Sequence, residues 1–220
     1  MRSSLAALAP LAVTLAAAAA CAPAHAGPGA AAKTPTTTEV RATGDFHGIS
    51  ISTVIEVEVT IGKTTRVELE APAAWLPKID TTVKDGVLEI ATPKVKDKLP
   101  KLKARITTPD FRSIAVSGVA TVSADDLEGK RFDVSVSGVA TLALAGAVDA
   151  LRIQVSGSGE LRAKDLVSRT AAVSITGTGE LAVHATETAD VSITGVGNIA
   201  IYGKPAVRKR VTGAGTIALK

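Results

Sequence analysis

Two carboxylates, Glu160 and Glu180, stand at the same place in two copies of one short segment, "VSGSGEL" and "ITGTGEL". If such copies stack, the acids lie about one strand spacing apart, roughly 4.8 Å, and either repel or share a cation. Calcium asks for about six to eight oxygen ligands, and two carboxylates with Asn198 fall short, so no metal site is expected. Lys94, Lys96, Lys98, Lys101, Lys103 and Arg105 gather around Pro93 and Pro100, with Asp97 the only acid among them. Such a run is either a solvated connection between strands or an attraction for phosphate or anionic polysaccharide, weakened by salt. His47 and His184 have no spacing that suggests a zinc site or a nucleophile and its base. No glycine-rich loop opens a helix, so no nucleotide or other cofactor is indicated. Cys21 is the only cysteine, which leaves no disulfide to build.

What positions these residues is a repeat. "VSGVATV", "VSGVATL", "VSGSGEL", "ITGTGEL", "ITGVGNI" and "VTGAGTI" place their first glycines at Gly118, Gly138, Gly157, Gly177, Gly195 and Gly213, 18 to 20 residues apart. A fixed period of that size marks a repeat architecture. Around each motif apolar residues alternate with period two, as in Val173 and Ile175 before the glycine and Leu181 and Val183 after it. That is strand patterning. A unit this short cannot enclose its own core, so each must stack on its neighbours, every strand bonding to the coil above and below. The expected fold is all-β: a single-stranded parallel β-helix, or β-solenoid.

The glycines then have a purpose, since a corner or a close backbone approach recurs once per coil. The second position carries Ala120 and Ala140 in the first two copies and Gly159, Gly179, Gly197 and Gly215 later. It therefore needs smallness more than positive φ. Outward from the motif, Ser117, Ser137, Ser156, Thr176, Thr194 and Thr212 form one column, and Thr121, Thr141, Glu160, Glu180, Asn198 and Thr216 another. If the strand runs through the motif, the two columns make a flat hydroxyl-rich face. Ser156, Glu160, Thr176, Glu180, Thr194 and Asn198 are its candidate contacts.

Upstream, Arg2, the apolar run Leu5 to Ala20 and Ala24-His25-Ala26 have the form of a signal peptide over 1–26, with lipidation at Cys21 the minor alternative. Residues 27–38, "GPGAAAKTPTTT", are expected to be a flexible leader. Residues 39–113 read as an N-terminal β region, either a cap or early coils, with a turn at Asp85-Gly86 and a helical turn in "APAAWLP". The glycine-marked coils fill 114–220. Aromatics make up only 2% of the chain, so the interior must be built from Val, Ile, Leu and Ala, and nucleic acid has few rings to stack on. Lys204, Pro205, Arg208, Lys209 and Arg210 precede the last motif and suit a strand edge protected against growth.

These repeats, with "FHGISISTVIEVEVTIG", "VKDGVLEI" and "ARITTPDFRSIAVSG", resemble the bacterial putative auto-transporter adhesin head GIN domain over roughly Phe46 to Leu219. The resemblance implies an exported β-helical domain, with residues 39–220 forming one such domain. The expected role is a non-enzymatic module at the periplasm or cell surface that contacts a glycan, an envelope polymer or a partner protein. The alternatives are a self-associating scaffold of the periplasm and, behind it, a polysaccharide-active enzyme, which would need clustered carboxylates in a groove. No later segment is long and apolar enough to cross a bilayer as a helix.

Overall fold

The computed structural model describes residues 35–93 and 99–220. The segment expected to be a signal peptide, Cys21, most of the expected leader, and Lys94, Lys96 and Lys98 lie outside the described residues. Within them the chain is a parallel β-solenoid, as the repeat predicts.

In the second half, four long runs carry the stack: β9 (Val119–Val136), β10 (Val139–Val155), β11 (Ser158–Ile175) and β12 (Thr178–Tyr202), followed by β13 (Ala206–Leu219). Consecutive runs pair in parallel and in register, apart from local register shifts in the first three pairings: Leu142 lies beside Val122 and Leu161, and Ile153 beside Val134 and Val173. Alternation turns every second side chain inward. The result is a set of aliphatic columns, one of which runs Leu88, Ile49, Ile114, Val134, Ile153, Val173 and Val191, all buried. Identical or similar residues stacked at one strand spacing fill the interior without large rings. Phe132 is the main exception, fully buried with Phe111 at 5.5 Å between ring centres.

The N-terminal half joins the same stack in an order different from the chain. β2 (Gly48–Ile51) and β3 (Val54–Ile61) form one coil. β6 (Val87–Ala91) and β7 (Lys103–Thr108) lie in parallel on one side of it, while β8 (Ser113–Val116) and β9 lie in parallel on the other. The chain thus lays a coil, leaves it, and returns to cover both of its flanks. Beyond β6 and β7 comes the cap. β4 (Arg66–Pro72) runs antiparallel to β7 and β5 (Asp80–Lys84) antiparallel to β6, joined through the 3₁₀ turn Leu76–Lys78. The hairpin between β5 and β6 closes through Asp85 (φ 52) and Gly86 (φ 74), the left-handed pair that a two-residue turn requires.

The cap's outermost strand is β1 (Thr36–Arg41), antiparallel to β4. Thr36 to Thr38, assigned to the leader by composition, are therefore in a strand. Threonine is a good strand former, and the open edge of β4 gives these residues a partner. Trp75 packs half-buried against the core, with Lys78 Nζ 4.9 Å from its ring centre. His47 abuts the hairpin turn, its backbone N–H donating to the Gly86 carbonyl at 2.8 Å.

Candidate interaction faces

The bend that carries the motif is set by its first glycine. β8 ends at Val116 and β9 begins at Val119, and the same break separates β9 from β10, β10 from β11 and β11 from β12. At each break a Cβ on the glycine would overlap the carbonyl oxygen of the coil beneath: Gly138 sits on Gly118, Gly157 on Gly138, Gly177 on Gly157. Gly195 and Gly213 continue the column with φ of 151° and 135°. At the second position, a Cβ on Gly159 would come no closer than 3.2 Å to Val155, and Ala120 and Ala140 fit there buried. Smallness is the requirement at that position.

This bend corrects the flat hydroxyl-rich face. Ser156 and Thr176 occupy the bend itself, between strands, whereas Glu160 and Glu180 lie on the strands that follow it. The two columns are on either side of a corner. Only at Thr194 and Thr212 does the strand run on through the motif. The bend hydroxyls also serve the backbone, Ser117 donating to the Ile51 carbonyl at 3.3 Å and Ser156 to that of Val136 at 3.4 Å. In the early coils, moreover, the first position after the bend is apolar and outward: Val54, after Thr53, and Val119 and Val139, after their glycines, stack in register and are each about half exposed.

Beyond the corner the acidic column is as expected from the repeat. Glu160 is the register partner of Glu180, and Asn198 that of Thr216. Glu160 is already answered by Arg162, whose Nη2 donates to it at 2.6 Å. Glu160, Glu180, Asn198 and Thr216, with Arg162, Tyr202 and Lys220, border a shallow open depression of about 540 Å³. Among the described residues no group of three or more His, Cys, Asp or Glu side chains is placed to hold a metal.

Of the basic run, Lys101, Lys103 and Arg105 are described. Lys101 precedes the strand, and β7 sets Lys103 and Arg105 against acids on the strands either side. Lys103 Nζ is 3.0 Å from Glu56, and Arg105 is 3.2 Å from Glu58 and 3.8 Å from Glu70. The hydrogen bond that Lys103 donates to Glu56, together with that carboxylate's charge, raises the Lys103 pKa above its ordinary value. Alternation places these charges outward on neighbouring strands, so Lys103 and Arg105, which look purely basic along the chain, are balanced across it.

A different cationic cluster is assembled by stacking. Arg152 of β10 and Arg208 and Arg210 of β13 border a depression of about 420 Å³ floored by Ala172, Ser174 and Ser192. Register gives two outward rows: Arg152, Ala172, Asp190, Arg208 and Gln154, Ser174, Ser192, Arg210. Arg208 and Arg210 were visible in the sequence as edge charges. Arg152 is missed there, because its connection to them is three coils long and needs each coil's exact length.

Residues 45–205 match the family model described as "Putative auto-transporter adhesin, head GIN domain". Among solved structures, a "putative adhesin" from Bacteroides fragilis superposes with a TM-score of 0.71 at 24% identity, covering 84% of this chain and 97% of that one. A "putative adhesin" from Parabacteroides distasonis gives 0.49 at 21%, covering 84% and 97%, and a "putative lipid binding protein" from the same species 0.45 at 18%, covering 84% and 96%. No curated protein matches the chain. Its fold is a stacked β-solenoid and the family match takes in the N-terminal coils and five of the six glycine motifs, so the chain belongs to the putative auto-transporter adhesin head GIN domain family.

Proposed function

We propose that this protein is a non-enzymatic, exported binding module whose outward faces engage a glycan, an envelope polymer or a partner protein. The observation that carries this is the parallel, largely in-register pairing of each run on the next from β9 to β13. It presents side chains at a fixed spacing of about 4.8 Å along the stack, a geometry suited to an extended ligand that repeats its own contacts. The depressions along the outward faces are shallow and open. Glu160, the acid best placed to do chemistry, is tied to Arg162. Family membership points the same way.

A screen of the purified chain against glycans and envelope fractions, with turnover followed in parallel, tests the proposal. Saturable binding without consumption of the ligand is expected. Release of shortened polymer would overturn it in favour of an enzyme. Self-association has one observation in its favour, the exposed Val54, Val119 and Val139 stripe. Light scattering showing a concentration-dependent dimer that Val119→Thr abolishes would establish it.

A further inference from the structure

Ten arginines lie among the described residues. Seven of them hold a carboxylate within ion-pair distance. The other three, Arg152, Arg208 and Arg210, have no ion-pair partner among the described residues, and all three border the same depression. A surface that neutralises its guanidinium groups everywhere else has left them open in one place.

The shape of that place follows from side-chain length. Arg152 and Arg208 are three coils apart, about 14 Å at one strand spacing per coil. Between them the outward positions are Ala172 and Asp190 in one row and Ser174 and Ser192 in the other, all shorter than arginine, so the floor lies below the arginine heads. The trough is thus walled by cations on two sides and open along the strand direction. A guanidinium fork matches a carboxylate, sulfate or phosphate with two parallel hydrogen bonds. The floor offers a different chemistry: two serine hydroxyls, the Gln154 amide and the Asp190 carboxylate, the last forming no ion pair among the described residues. Asp190 accepts hydrogen bonds from hydroxyl groups and repels an acid placed mid-trough. The complementary ligand is therefore hydroxyl-rich at its centre and acidic at its flanks. No aromatic ring borders the trough, so a nucleobase has nothing to stack on.

We infer that the trough is a binding site for an anionic polysaccharide, its acid groups held by Arg152 on one wall and by Arg208 and Arg210 on the other. The site rests on the binding-module reading above and gives it a ligand class and a location.

Affinity electrophoresis of the full chain through gels containing polygalacturonate, dextran sulfate or neutral dextran tests it. The two acidic polymers should retard the protein and the neutral one should not. The variant Arg152→Gln/Arg208→Gln/Arg210→Gln should lose about tenfold or more in affinity, as befits loss of charge-assisted bidentate contacts. Lys63→Gln/Lys130→Gln/Lys164→Gln carries the same net charge and should bind as the parent does. Circular dichroism and the thermal midpoint establish that each variant is folded, and Arg152→Lys, which keeps charge but not the fork, should bind more weakly than the parent. Equal weakening by both triple variants overturns the site, because diffuse charge would then suffice. Single-stranded DNA bound with the same dependence on the three arginines overturns the polysaccharide assignment. Binding to a neutral glycan or an envelope protein without either acidic polymer overturns the trough alone. A fall in polymer viscosity overturns the binding-module reading itself.

Discussion

At Gly177 a side chain has nowhere to go, because the Gly157 carbonyl already occupies the space. Gly177→Val should therefore lower stability by about 1–3 kcal/mol or more, the usual cost of forcing atoms into a filled site. Gly159→Ala, at the second position, should be nearly neutral, since Ala120 and Ala140 already occupy its counterparts. Thermal midpoints of the two variants check both expectations. Lys103 gives a pH test. Its pKa is raised, first by the hydrogen bond to Glu56 and then by that carboxylate's charge. The pair's contribution is thus complete below the ordinary lysine value and fades as pH climbs through the raised one. The stability gap between the parent and Lys103→Met should stay constant through neutral pH and close only in strongly alkaline solution, measured by urea midpoints. It should also be modest, because the pair is exposed. The glycine column was legible in the sequence because it recurs at a fixed period. The neutralisation of Lys103 and Arg105 was not, because their acids lie on other strands, 47 residues away in the chain.

The two ends of the stack are finished differently. The cap end closes with antiparallel strands, whereas β13 ends the other with its outer edge unpaired among the described strands. Its inward residues are partly uncovered, Val211 at 42% and Leu219 at 64% exposure. In this terminal coil Lys209 takes the register position that aliphatic residues hold in every coil below, being paired with Val191. A charge at the top of that column discourages a second molecule from continuing it. Removing β13, by ending the chain before Gly203, would bare Ile193, Ile199 and Ile201, all now buried. That truncated protein should associate, and a monomer by light scattering would show that β13 has no protective role. The basic character of this end was legible in the sequence. The strand at Thr36–Arg41 was not, since Thr-rich sequence becomes a strand only where a neighbouring edge receives it.

For the whole molecule, alternation and period were enough to anticipate a solenoid, because each coil obeys the same rule as the next. The order of the first coils was beyond their reach. Nothing in the local pattern of β2 and β3 says that one flank will be covered by β6 and β7 and the other by β8 and β9. That arrangement has a consequence for a chain that emerges from its N-terminus, whether from a ribosome or through a membrane pore. The segment delivered early, Gly48 to Ile61, has one flank uncovered until β6 and β7 have followed it out, and the other until residues as late as Asp125 have done so. Assembly in simple order of arrival is therefore barred at this end. Later coils, each laid directly on its predecessor, can zip up as fast as they appear.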